Sequence, residues 1–115
     1  MLRGVYKMDL KTYCPAKLVS AGDAMGLIKR GSRVFVGTGC GEPRHLIKAM
    51  ARNTVLRDVM IYQLLSSTLA QFVDDPSFLK RFSIKLFFIN DAMRKAAFEG
   101  KIDYIPSYLD RKSVV

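Results

Sequence analysis

The chain has 115 residues, half of them hydrophobic and a quarter charged, a length and balance suited to one domain with one modest core. No apolar run approaches the ~20 residues of a membrane-spanning helix. The N-terminal MLRGVYKMDLKTY lacks the apolar stretch of a signal peptide, and two cysteines with a single histidine argue against a disulfide framework or a histidine-based metal site.

The formal net charge of +9 has two readings: attraction for phosphate-rich partners, or solvated helix faces. The basic residues are dispersed, from Lys7 through Lys48, Lys80 and Arg81 to Lys112. They form no long block and no aromatic-interleaved pattern of an RNA binder. The solvated-face reading is preferred. A cytoplasmic protein is expected, with no nucleic-acid or membrane partner and no metal.

In chain order, residues 1–10 read as an N-terminal arm and 11–115 as a single α/β domain. Ser20 followed by Asp23 resembles a capping box. Ala24, Leu27 and Ile28 then share a helical face, and Gly31 is a plausible stop. Strand one is expected at Arg33–Val36. The segment Gly37-Thr38-Gly39-Cys40-Gly41-Glu42-Pro43 follows it directly, with Pro43 suited to the first helical position of the next helix. Leu46, Ile47, Met50 and Ala51 form that helix's apolar stripe, ended near Asn53.

Val59–Leu65 reads as strand two. Its nearly continuous apolar run suggests a strand covered on both faces, as in a parallel sheet. Ser66-Ser67-Thr68 is a loop, and Asp75-Pro76 starts a short helix. Ser83–Ile89 is strand three. Asn90 or Asp91 caps a helix running through Glu99 and stopped by Gly100. Lys101–Ile105 is a fourth strand, ended by Pro106.

Strands separated by helices imply right-handed βαβ units and an open, mainly parallel sheet. Three loops then meet at the C-terminal edge of the strands: Gly37–Glu42, Ser66–Leu69 and Asn90–Arg94. Ligands of open α/β sheets bind at that edge. The glycine loop lacks the Lys-Ser/Thr of a phosphate-binding P-loop. Its third glycine also falls two residues after the second, not three as in the dinucleotide fingerprint. By spacing alone, the loop is equally a tight βα turn. Glycine loop plus helix N-terminus nevertheless suits an anion or a strongly polarised group.

Two separated segments, GDAMGLIKRGSRVFVGTGCGEPRHLIKAM and FFINDAMRKAAFEGKIDYIPSYL, resemble the N-terminal part of the acetyl-CoA hydrolase/transferase family. That family includes 4-hydroxybutyrate and succinyl-CoA:acetate CoA-transferases. The similarity spans nearly all of residues 11 to 110. It implies a class I CoA-transferase fold, with coenzyme A arriving as acyl-CoA and a small carboxylic acid as second substrate. It also implies ping-pong chemistry, in which a glutamate attacks the thioester and an acyl-glutamyl anhydride and a glutamyl-CoA thioester follow. Gly41-Glu42-Pro43 matches the family's G-x-P segment near the reacting acyl group.

The resemblance makes Gly37, Thr38, Gly39, Cys40, Gly41 and Pro43 a candidate acyl or oxyanion loop, since backbone donors can stabilise a tetrahedral oxyanion. Ser66, Ser67, Thr68, Asn90 and Arg94 are candidate substrate-binding residues. Each has a plainer reading: a hydrophilic loop for the hydroxyls, a helix-face ion pair for Arg94. Glu42 precedes a helix start and is read as a stabilised anion acting as a cap, not as the nucleophile. Cys40 is either a thiol activated near a helix start or a small apolar loop residue, the second being preferred. His45 reads as a surface residue.

The family's nucleophilic glutamate belongs to a C-terminal half, and nothing in this sequence matches that motif. The chain is therefore expected to be a truncated, split or N-terminal piece, inactive alone. It would self-associate or need a partner supplying the second half. The competing possibility is a non-catalytic α/β module that holds CoA or a phosphate with the same loop.

Overall fold

A computed structural model describes residues 9–108. The proposed N-terminal arm therefore lies almost wholly outside the described residues. Four parallel strands form one sheet in the order β1-β2-β3-β4, with β1 at Arg33–Val36, β2 at Val59–Gln63, β3 at Phe82–Leu86 and β4 at Asp103–Tyr104. Between them run α3 (Arg44–Arg52), α4 (Pro76–Arg81) and α5 (Asp91–Phe98), while α1 (Leu10–Tyr13) and α2 (Ala21–Met25) precede β1. The α/β class and the parallel sheet are those expected. No helix among the described residues is long and apolar enough to cross a membrane.

Local sequence accounts for most helix starts. Ser20, Asp75 and Asn90 are N-caps whose side chains accept from the N–H groups of Asp23, Ser77 and Met93. Each satisfies a donor that a helix start otherwise leaves unpaired. The first long helix differs from expectation. It stops at Met25, so Leu27 lies beyond it and is exposed, and Met25 takes the buried position. Gly31 serves a later turn with φ of 81°. In α3, Ile47, Met50 and Ala51 are buried as read, but Leu46 is exposed.

The strands are shorter than the apolar runs suggested. Single bonds nevertheless extend the ladder, from Phe87 N–H to Gln63 O and from Ile105 N–H to Leu86 O. Sequential strand order with right-handed crossovers puts all three connecting helices on one face of the sheet. The register agrees. Val34, Ile61 and Ile84 form one row; Phe35, Tyr62, Lys85 and Asp103 form a row on the opposite face. Ile61 and Ile84 are fully buried, whereas Phe35 is 64% exposed and Tyr62 and Lys85 are half-buried. The expectation that β2 is covered on both faces is thus corrected. Its apolar run reflects β propensity as much as burial.

The core lies between the sheet and the helices. Phe72, Phe78 and Phe82 stack in series with ring centroids 5.3 and 4.7 Å apart, against Ile61, Leu69, Ile84, Leu86 and Met93. Arg81, read as one of the solvated cations, is instead buried. Its guanidinium donates to the carbonyls of Asn53 (2.6 Å), Ala51 (2.9 Å) and Ser77 (3.2 Å). Two of these belong to the C-terminal end of α3, where a cation completes unpaired carbonyls and the helix dipole.

Candidate functional site

β1, β2 and β3 end side by side, and their following loops converge at the C-terminal edge of the sheet. The glycine loop is a turn of 3₁₀ helix over Gly39–Gly41. Its closure rests on Gly37, where an added Cβ would lie 2.6 Å from the Gly41 carbonyl oxygen, inside any real contact distance. Gly39 has φ of 66°, which glycine adopts without strain. At Gly41 a Cβ would meet nothing within 4 Å. Gly37→Ala is therefore expected to destabilise the fold by about 1–3 kcal/mol, and Gly41→Ala to leave urea-denaturation stability within about 0.5 kcal/mol.

The loop's donors are unevenly used. Gly41 and Glu42 N–H groups close the turn onto the carbonyls of Thr38 and Gly39. The Gly39 and Cys40 N–H groups find no acceptor among the described residues. Both residues are exposed. The loop therefore presents two adjacent backbone donors to solvent.

Glu42 holds the loops together. Its side chain is 1% exposed. One carboxylate oxygen accepts from Gln63 Nε2 (3.1 Å) and from the Thr68 (3.1 Å) and Ser67 (3.4 Å) N–H groups, and the other from Ser67 Oγ (2.6 Å). Burial alone would raise its pKa. The Ser67 hydroxyl, the Thr68 N–H, the Gln63 amide and the Thr68 hydroxyl outweigh burial and lower it from 4.5 to about 2. Glu42 is thus a fixed anion, as expected, but not a cap of the helix that follows it. Pro43 occupies the N-cap position of α3, not the first helical position, and no side chain caps that helix. The carboxylate turns inward and satisfies the second loop's backbone instead.

Gln63 is a site residue that the sequence reading does not predict. It is fully buried at the end of β2 and donates from one amide nitrogen to both Gly37 O (2.9 Å) and Glu42 Oε1 (3.1 Å). Its Oε1 is buried without a partner. A polar residue closing an apolar strand was the available signal, since a buried amide is retained only where it has bonds to make.

The other candidates divide. Ser66 is fully buried, and its hydroxyl accepts from Leu69 N–H at 3.1 Å. Asn90 caps α5 through Oδ1 and donates from Nδ2 to Ser66 O at 2.7 Å, tying the third loop to the second. Thr38 Oγ1 receives Leu65 N–H at 3.4 Å. Gly37, Glu42, Gln63, Ser67 and Thr68 therefore form one linked network, while Thr38 with Leu65 and Ser66 with Asn90 tie the same loops by separate bonds. Arg94 stands outside it, paired with Asp91 at 2.7 Å on the exposed face of α5. Cys40 is an exposed free thiol, and His45 is exposed. No cluster of three potential metal ligands occurs among the described residues.

Comparison with solved structures gives the same architecture in RipA. The crystal structure of RipA from Yersinia pestis superposes with a TM-score of 0.72 at 21% identity, over 90% of this chain and 27% of that one. A glutamate-to-alanine variant of RipA gives 0.76 at 21% identity, over 90% and 26%. A methionine-to-glycine variant gives 0.77 at 21% identity, over 91% and 26%. The chain thus spans about a quarter of the length of these structures, which at this identity share its fold. No curated protein matches it in sequence. The family model described as the acetyl-CoA hydrolase/transferase N-terminal domain matches residues 3–114, nearly the whole chain, and the chain belongs to that family.

Proposed function

We propose that this domain supplies the glycine-loop side of an acyl-CoA site. The parent activity is an acyl-CoA:carboxylate CoA-transferase or an acyl-CoA hydrolase, whose nucleophilic glutamate comes from polypeptide outside these residues. The observation that carries the reading is the pair of unpartnered N–H groups at Gly39 and Cys40, on a loop held by a buried anion at the ligand-binding edge of the sheet. Attack on a thioester carbonyl puts negative charge on its oxygen. Preorganised backbone donors stabilise that charge without reorganising during the reaction. Family membership supplies the acyl-CoA, and the sheet edge is where an α/β fold holds ligands.

Glu42 does not serve as nucleophile in this reading. A carboxylate saturated by four donors and held as a weak base is a poor attacking group. Its part is to fix the loop that carries the donors. The test is exchange of labelled acetate into acetyl-CoA. The chain alone should give no exchange above background, and adding a family C-terminal half that carries the nucleophile should restore it. Sustained turnover by the chain alone would overturn the assignment.

A further inference from the structure

The sheet ends in two free edges, and they differ. β4 is two residues long, and its Asp103 is tied to Lys85 at 2.9 Å, the short, charged form that discourages further pairing. β1 carries no proline and pairs with β2 in unbroken register. The bond from Met60 N–H to Ser32 O fixes which of its main-chain groups face β2. Alternation along the strand then turns the N–H and C=O groups of Arg33 and Phe35 outward, and no described residue pairs with them. We propose that this edge joins a second copy of the chain, β1 against β1 and antiparallel, so that two four-stranded sheets become one continuous sheet.

The side chains suit a copy of the same strand. A two-fold axis beside Val34 sets Arg33 of each copy opposite Phe35 of the other. Every outward N–H then meets an outward C=O, and the contact is self-complementary. Arg33 and Phe35 both stand on the helix-free face, where Phe35 is 64% exposed. Arg33 is exposed too and makes no ion pair with a described residue. A guanidinium beside an aromatic ring is a favourable cross-strand pair, and symmetry supplies it twice without opposing like charges. On the other face the two Val34 side chains meet beside an apolar groove of about 170 Å³, whose lining includes Ile28, Phe35 and Leu46. Ile28 and Val34 are half-buried and Leu46 is exposed, so closing the groove against its symmetry mate removes apolar surface from water.

A four-residue strand and one groove make a small interface, so the association should be weak and reversible. It does not depend on the acyl-CoA reading. The glycine loop follows β1 and takes no part in the pairing.

The test is sedimentation velocity of the 115-residue chain from micromolar to near-millimolar concentration at constant ionic strength. A monomer–dimer equilibrium is expected. Phe35→Lys sets a cation opposite Arg33 at both contacts and should weaken dimerisation about tenfold or more. Adding Arg33→Glu to Phe35→Lys pairs opposite charges across the axis and should restore it. Both positions are exposed, so the melting temperatures of the variants should match that of the parent chain. A chain that stays monomeric throughout would overturn the proposal and leave the edge to polypeptide outside these residues. A dimer indifferent to Phe35→Lys, or one weakened by it and not restored by the double variant, would place the contact elsewhere and also overturn it.

Discussion

Glu42→Ala is expected to destabilise the domain by about 3 kcal/mol. Holding a carboxyl at about 2 in place of 4.5 corresponds to about 3 kcal/mol of preference for the anion. Removing it also leaves the buried Thr68 N–H without its acceptor and the Gln63 amide with Gly37 O alone. The pH dependence follows from the sign. The folded pKa lies below the unfolded one, so the unfolded chain binds more protons between them. The stabilisation is complete above about 4.5 and is lost as pH falls through about 2. Asp75 and Glu99 are also held below the usual carboxylate range, by hydrogen bonds from Ser77 and Lys101, but both are exposed and add little. Urea denaturation at pH 6 and at stepped values down to pH 2 should therefore show a steep loss in the wild type. In Glu42→Gln that slope should be largely flattened. An unchanged slope would mean that Glu42 is not the clamp.

Arg81→Ala is expected to cost about as much, about 3 kcal/mol or more, because three charge-assisted hydrogen bonds to main-chain carbonyls disappear together. In a domain of this size that is a fall in melting temperature of about 12 °C or more. Arg81→Lys should rescue little, since one ammonium cannot span the Ala51, Asn53 and Ser77 carbonyls as a planar guanidinium does. The control is Arg30→Ala, which breaks only an exposed pair with Asp58 and should move stability by less than about 1 kcal/mol. Differential scanning calorimetry of the three variants decides it. Equal losses for Arg81→Ala and Arg30→Ala would reduce Arg81 to a surface charge.

Glu42 and Arg81 also mark where the sequence stops being legible. β1, the glycine loop and the caps at Ser20, Asp75 and Asn90 are local features. Each is specified by side chains within four residues of the backbone they serve, and each was readable. From sequence Glu42 reads as a helix cap, because its donors sit in a different loop, at Gln63, Ser67 and Thr68, and only the parallel pairing of β1 with β2 brings them near. Arg81 reads as solvated because its partners are carbonyls, which leave no trace in residue type. Gln63 shows in the sequence only as a polar residue closing an apolar run; its partners, Gly37 O and Glu42 Oε1, lie in another loop. The burial of β2 was overestimated because β-branched and aromatic residues favour strands whether one face is covered or two. The convergence of three loops on one edge was legible, since it follows from topology alone. What joins them is not, because it depends on the register of the sheet.

We propose that the clamped glycine loop of this domain receives the acyl end of an acyl-CoA. The most direct measurement is an amide-resolved NMR titration of the chain with acetyl-CoA. Saturable shifts are expected at Gly39, Cys40 and Gly41 and, through Glu42, at Ser67 and Thr68, and they should be lost in Gly37→Ala. Shifts confined to other surfaces, such as the open sheet face around Phe35 and Tyr62, would contradict the claim, as would no shift at millimolar ligand.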